Sequence, residues 1–315
     1  MCIRDRPNII VILADDLGFS DLGCYGGEIN TPVLDKMAQE GLRMTQMYNS
    51  ARSCPSRANL LTGLYPHQTG LGHMDVFRPA WPKGYSGFRS NSDNVTIAEV
   101  LKDAGYFTAM AGKLHLGKKT NPIARGFQEY YGLLGGFTSM WDPNAYTRLP
   151  KDRTPRHYAE GEFYATNVIT DYAIDFINQA NKENKPLFLY LAYNAPHFPL
   201  HAPKEVIDKY VDVYMQGWDK IRDQRWKRIV DLGLLQGKPK LSPRGVVPES
   251  LYMDHTYELP AWNSLSKELQ VDLAHRMAIF AAMVDIMDQN IGRVMDTLKK
   301  NGELDNTSVS YTHLT

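Results

Sequence analysis

Residues 7–16 read Pro7-Asn8-Ile9-Ile10-Val11-Ile12-Leu13-Ala14-Asp15-Asp16, and this run decides the fold class. From Ile9 to Ala14 it is unbroken, apolar and rich in β-branched side chains, which predicts a strand buried on both faces of a largely parallel sheet. Two carboxylates, Asp15 and Asp16, stand at its C-terminal end. Open α/β sheets hold ligands at that edge, and adjacent carboxylates there suit a hard divalent cation with oxygen ligands. The same Asp-Asp pair followed by Leu17-Gly18 is also what a plain strand-to-turn exit looks like.

Two later runs repeat the pattern. The spacing of Ile97, Val100 and Leu101 predicts a helix over 94–105, stopped by Gly105, and a strand follows from Tyr106 toward Gly112. Lys113 and His115 are two apart, so a strand persisting to that point projects both from one face. Lys suits an oxyanion as a point charge, and His suits proton transfer near neutrality. The apolar positions of 166–181 predict a second helix, and Leu187 to Tyr193 a second buried strand. That strand ends in Asn194-Ala195-Pro196-His197-Phe198-Pro199, a turn stiffened by two prolines around His197. A long helix is predicted over 266–301, with Asp285 and Asp288 on a solvated or substrate-rim face.

The stretch 53–63, Ser-Cys-Pro-Ser-Arg-Ala-Asn-Leu-Leu-Thr-Gly, predicts a short helix with Pro55 near its first position, Ser53 just ahead of it and Gly63 as its stop. Free N–H groups and the helix dipole would cradle a tetrahedral oxyanion beside a side-chain oxygen. A helix-capping Ser with an ordinary early Pro is the plainer alternative.

Together these stretches resemble the type I sulfatases. Their maturation signature oxidises a Cys or Ser, followed two residues on by Pro and four on by Arg, to formylglycine. Counting from Cys54 puts Ser56 and Ala58 at those places, whereas counting from Ser53 gives Pro55 and Arg57, so the resemblance implies a serine-type site. It further implies an alkaline-phosphatase-like α/β fold, a mostly parallel sheet with helices on both faces. Calcium would be held by Asp15, Asp16 and residue 53, which give only part of its shell; calcium and Lys113 would neutralise sulfate oxygens and Arg57 would orient the hydrated aldehyde. His115 would take the proton that triggers sulfate release, and His197 would protonate the leaving alcohol. A hydrated aldehyde has one hydroxyl to attack sulfur and a second to expel sulfate, an escape denied to a plain Ser. The reaction implied is hydrolysis of an aryl or sugar sulfate. A radical-type formylglycine-generating maturase is the implied partner, and a bacterial periplasmic or secreted compartment the implied location. The alternatives are a phosphate or phosphonate ester hydrolase of the same superfamily, or an inactive truncated glycan-binding module.

Composition bounds the rest. With 315 residues, 43% hydrophobic, the chain has enough apolar surface for one large α/β domain. A formal net charge of zero gives no nucleic-acid footprint, and no apolar run reaches the length of about 18 needed to span a bilayer. Three cysteines make no disulfide framework. The mixed charges of 220–228 read as a solvated helix face. Long loops over 81–94 and 139–162 are candidates for the substrate rim, with Arg78, Arg89, Trp141 and Tyr146 as stacking or hydrogen-bonding residues. The sulfatase-like domain is expected over 7–307, with an insertion at about 211–263. Residues 1–6 and 308–315 read as foreign to it, the latter because no Asp-Asn pair follows Thr307, and a C-terminal subdomain is expected to be absent.

Overall fold

The computed structural model describes residues 6–74, 84–85, 87–88, 94–117, 120–237, 240–247 and 257–314. Contacts divide the chain into two units: Met1–Gly18 with Met47–His201 and Ile286–Thr315, and Phe19–Gln46 with Ala202–Asp285. The second unit is wider than the insertion expected at 211–263 and takes in an N-terminal segment as well.

The first unit is built on a six-stranded sheet. Its strands are β1 (Asn8–Ala14), β2 (Phe107–Gly112), β3 (Glu129–Gly132), β4 (Thr147–Leu149), β5 (Leu187–Ala192) and β8 (Thr307–His313). They lie in the order β4-β3-β2-β5-β1-β8, parallel throughout except for β4 against β3. Every residue of β2 and β5 is buried, as their continuous apolar runs demand at the sheet centre. On one face Phe188, Tyr190 and Ala192 meet Cys54, Ala58 and Leu61 of helix α2 (Ser53–Thr62). Helix α5 (Ala165–Lys182) packs on β2, β3 and β5. Asn290 and Arg293 of the long helix α9 (Lys267–Lys300) bond Asn167 and Asp171 of α5.

Residues 307–313 are the sheet's edge strand, paired with β1 from Asn8↔Thr307 to Ala14↔His313. An otherwise open edge of β1 supplies unpaired N–H and C=O groups, so a tail read as foreign to the domain completes its ladder.

The second unit contains α1 (Pro32–Glu40), α6 (Lys204–Ile207), α7 (Val211–Tyr214), α8 (Trp218–Asp231) and a hairpin of β6 (Val246–Val247) with β7 (Tyr257–Glu258). Helix α8 carries the charged run expected to be solvated, but Arg225 is mostly buried, 2.6 Å from Asp21 and 2.7 Å from Glu28. Asp285 is likewise interior and accepts from the Tyr210 hydroxyl at 2.7 Å. Asp288, in the first unit, is fully buried, so neither carboxylate lies on a solvated face. Among the described residues, Cys24 and Cys54 form no disulfide with each other, and no helix is long and apolar enough to cross a membrane.

Candidate active site

Strand direction brings the predicted residues to one sheet edge. Asp15 and Asp16 follow β1, Lys113 and His115 follow β2, and His197 follows β5; the three strands are parallel neighbours, so all these residues lie at C-terminal strand ends. The Asp15 amide donates to the Ala195 carbonyl at 3.1 Å, tying the first of these turns to the last.

Helix α2 starts one residue earlier than expected. Arg52 is the N-cap and Ser53 the first helical residue, so the Ser53 side chain leaves from the helix's first turn, at its positive end. Ser53 is 8% exposed. Its Oγ accepts from Arg57 Nε at 3.0 Å, one helical turn on, and stands 3.0 Å from His115 Nδ1 and 3.5 Å from Asp15 Oδ1. One oxygen is therefore reached by a cationic donor, an imidazole nitrogen and a carboxylate oxygen.

Beneath it lies a buried charge cluster. Arg57, Lys113 and Asp15 are all fully buried. Arg57 Nη2 is 3.1 Å and Lys113 Nζ 2.5 Å from the two Asp15 oxygens, and Arg57 Nη1 donates to the Lys113 carbonyl at 2.6 Å. Burial works against an ionised Asp15, but Arg57 and Lys113 outweigh it and hold its pKa below the usual value. Burial lowers the Lys113 ammonium, with Asp15 acting in the opposite direction. Two cations around one carboxylate leave one positive charge in a dry site, which suits a monoanion. Lys113 reaches that anion through its field, since its ammonium is turned onto Asp15.

Lys113 and His115 converge by a route other than strand alternation. Strand β2 ends at Gly112, and His115 sits at φ 49, in the left-handed region. Asp16 does so too, at φ 61. Such conformations cost about 1–3 kcal/mol each and cluster where function needs them. Burial first, then the charges of Lys113 and Arg57, push the His115 pKa down to about 3. A ring held neutral keeps one unprotonated nitrogen, able to accept a proton.

His197 Nδ1–H donates to the Phe198 carbonyl, which leaves Nε2 facing Asp16 Oδ2 at 3.4 Å. The 135–137 turn closes over the site: a Cβ built on Gly136 would lie 2.9 Å from His115 Nε2, and the Phe137 ring stacks on His197. These loop residues escaped sequence reasoning; the Gly135-Gly136-Phe137 triplet after β3 was the available signal. Of the expected rim residues, Trp141 is 40% exposed and packs against Tyr164. Tyr146 is 8% exposed, and its hydroxyl accepts from Asn194 Nδ2 at 2.8 Å, which makes it a wall between loops. Arg78 and Arg89 lie outside the described residues.

Oxygen donors at Asp15, Asp16 and Ser53 have the chemistry a calcium ion takes, but not the number. A shell needs about 6–8 oxygens, and among the described residues no three His, Cys, Asp or Glu side chains gather to hold a metal. Both Asp15 oxygens already face cations, so Lys113 would have to withdraw before a metal could take them. Asp15, Asp16 and residue 53 thus supply only part of a calcium shell, the incomplete set expected of this chain.

The sulfatase family model matches residues 7–312. An uncharacterized sulfatase of Schizosaccharomyces pombe is 37% identical over 326 residues, covering 97% of this chain and 57% of that protein. An arylsulfatase of Klebsiella aerogenes is 37% identical over 317 residues, covering 98% of this chain and 66% of that one. The crystal structure of Ps i-CgsB in complex with k-i-k-neocarrahexaose superposes with a TM-score of 0.67 at 27% identity, covering 98% of this chain and 58% of that one. The chain spans 57–66% of the length of these three relatives. Its mostly parallel sheet with flanking helices is alkaline-phosphatase-like, the arrangement it shares with such neighbours.

Proposed function

The chain belongs to the sulfatase family, and from that premise we propose that it hydrolyses a sulfate monoester, with Ser53 matured to formylglycine as the source of the nucleophile. The carrying observation is the oxygen on residue 53, held between Arg57 Nε and His115 Nδ1 at 3.0 Å from each. When formed, formylglycine supplies a geminal pair of hydroxyls, one to attack sulfur and one whose deprotonation expels sulfate. A cationic donor on one side, with an imidazole nitrogen and a carboxylate oxygen on the other, suits two such oxygens.

The chain's own residues then divide the work. Arg57, braced by Asp15 and by the Lys113 carbonyl, orients the attacking oxygen and, with Lys113, stabilises charge on the sulfate. As an imidazolium, with Nδ1–H on the Phe198 carbonyl and Nε2–H toward Asp16, His197 delivers the Nε2 proton to the leaving alcohol and keeps the Nδ1 proton. His115 Nδ1 takes the proton from the oxygen on residue 53. Arrival of a sulfate anion would counter the two cations that depress the His115 pKa and raise its basicity when the proton must move.

A sugar sulfate is the substrate we favour, supported by the k-i-k-neocarrahexaose in complex with Ps i-CgsB; the arylsulfatase relative supports an aryl ester as well. A radical-type maturase and an exported compartment complete the proposal. It is tested by co-expression with such a maturase, peptide mass across residues 52–57, and sulfate release from phenyl sulfate and a galactose monosulfate. A loss of about two hydrogens at Ser53 with sulfate release is expected. Oxidation at Cys54 would overturn the serine assignment. Faster turnover of phenyl phosphate than of phenyl sulfate would make the protein a phosphoester hydrolase instead.

A further inference from the structure

Two phenylalanines border His197 and take no part in the chemistry above. Phe137 is 63% exposed and Phe198 65% exposed, although burying such a side chain gains about 1.5–3 kcal/mol. The Phe137 ring stacks on the His197 imidazole, with centroids 6.0 Å apart and planes 14° from parallel. The Phe198 ring stands 6.2 Å from that of Phe137 and is tilted by 55°. Neither ring is spent on the protein's own core, and both sit beside the group that protonates the leaving alcohol.

Geometry then says what passes over them. The bridging oxygen of the ester must lie between the sulfur, at residue 53, and the proton, on His197. Gly136 crosses close to His115 Nε2, so the 135–137 turn bounds one side of the sulfate site and presents Phe137 at its rim. A group attached to the bridging oxygen then lies on the His197 side of the site, where Phe137 and Phe198 stand. Phenyl side chains offer no hydrogen bonds; they reward a flat apolar face, stacked on one ring or set edge-on to the other at about 4.5–7 Å.

We propose that Phe137 and Phe198 form a platform for the ring of the leaving alcohol, so that the site selects sulfate esters of ring alcohols with a flat apolar face over those of acyclic alcohols. The inference rests on the sulfate-ester reading above. An aryl ring and the C–H face of a pyranose share this chemistry, and the test has an arm for each.

Binding of phenyl sulfate, a galactose monosulfate and ethyl sulfate is measured calorimetrically on the full chain and on Phe137→Ala and Phe198→Ala. Wild type should bind at least one ring ester more tightly than ethyl sulfate. Each substitution should weaken that ring ester about 3- to 10-fold while ethyl sulfate changes less than twofold. Loss with phenyl sulfate alone identifies an aryl platform, and loss with the galactose ester a sugar platform. Because Phe137 also stacks on His197, Phe198→Ala guards against an effect carried through the acid. Equal losses on all three esters, no loss on any, or a wild type without ring preference or without binding would overturn the platform. A preserved ring preference without sulfate release from the matured chain would instead overturn the hydrolase reading and leave the platform standing.

Discussion

His115 stays neutral where a solvent-exposed histidine begins to charge, and this has a consequence for stability. Its pKa is about 3 in the fold against 6.5 for the free side chain. The unfolded chain therefore binds the extra proton first, and stability falls as pH drops from about 6.5 to about 3. One proton's worth of linkage is at most about 1.4 kcal/mol per pH unit. Asp15 acts in a different window: its lowered pKa contributes stability above the ordinary carboxylate value of 3.8 that is lost only as pH falls through the still lower folded value. Urea midpoints of wild type and His115→Gln across about pH 7 to pH 4 should show a shallower decline in the variant. Parallel slopes would mean that His115 is not held neutral. At this scale the residue types were legible in the sequence. That Arg57 and Lys113 share Asp15 was not, because their contact depends on three segments far apart in the chain.

Among the elements, Gly112 has the least latitude. It ends β2 at φ 116, and a Cβ there would lie 1.8 Å from the Ala192 carbonyl oxygen on β5. Gly112→Ala should cost at least about 3 kcal/mol in urea unfolding or abolish soluble expression, because backbone on a central strand cannot swing aside as a side chain can. A loss below about 1 kcal/mol would show that the strand ends relax freely. The same residue explains why Lys113 and His115 do not follow strand alternation: the chain leaves the sheet one residue before Lys113. Helix limits were legible to within a residue or so for α5 and α9, whose apolar periodicity is long. For α4 (Ile97–Asp103) the Thr96 hydroxyl accepts from the Glu99 amide in a capping box, which starts the helix later than Asn94.

At the scale of the whole molecule, the second unit is where local reading failed. Its N-terminal segment is anchored by Asp21 and Glu28, which share Arg225, and Tyr214 donates to Glu28 at 2.7 Å. Arg225→Met should remove the guanidinium that Asp21 and Glu28 share, leaving Glu28 with Tyr214 and a 3.6 Å contact to Arg228, a loss of about 3–5 kcal/mol. Hydrogen exchange is expected to rise in 19–46 and 202–285 while amides of β1, β2 and β5 keep their protection. Uniform loss of protection would show that the two units unfold together.

The sequence by itself determined which residue types stand at which strand ends and the order of the motifs, because these depend on local periodicity and on position along the chain. Tertiary structure alone decided that Asp15 is closed by two cations, that 307–313 is an edge strand, and that Gly136 and Phe137 roof the site. Each of those outcomes is a contact between distant segments, and the packing that makes such contacts leaves no local pattern in the residues that form them.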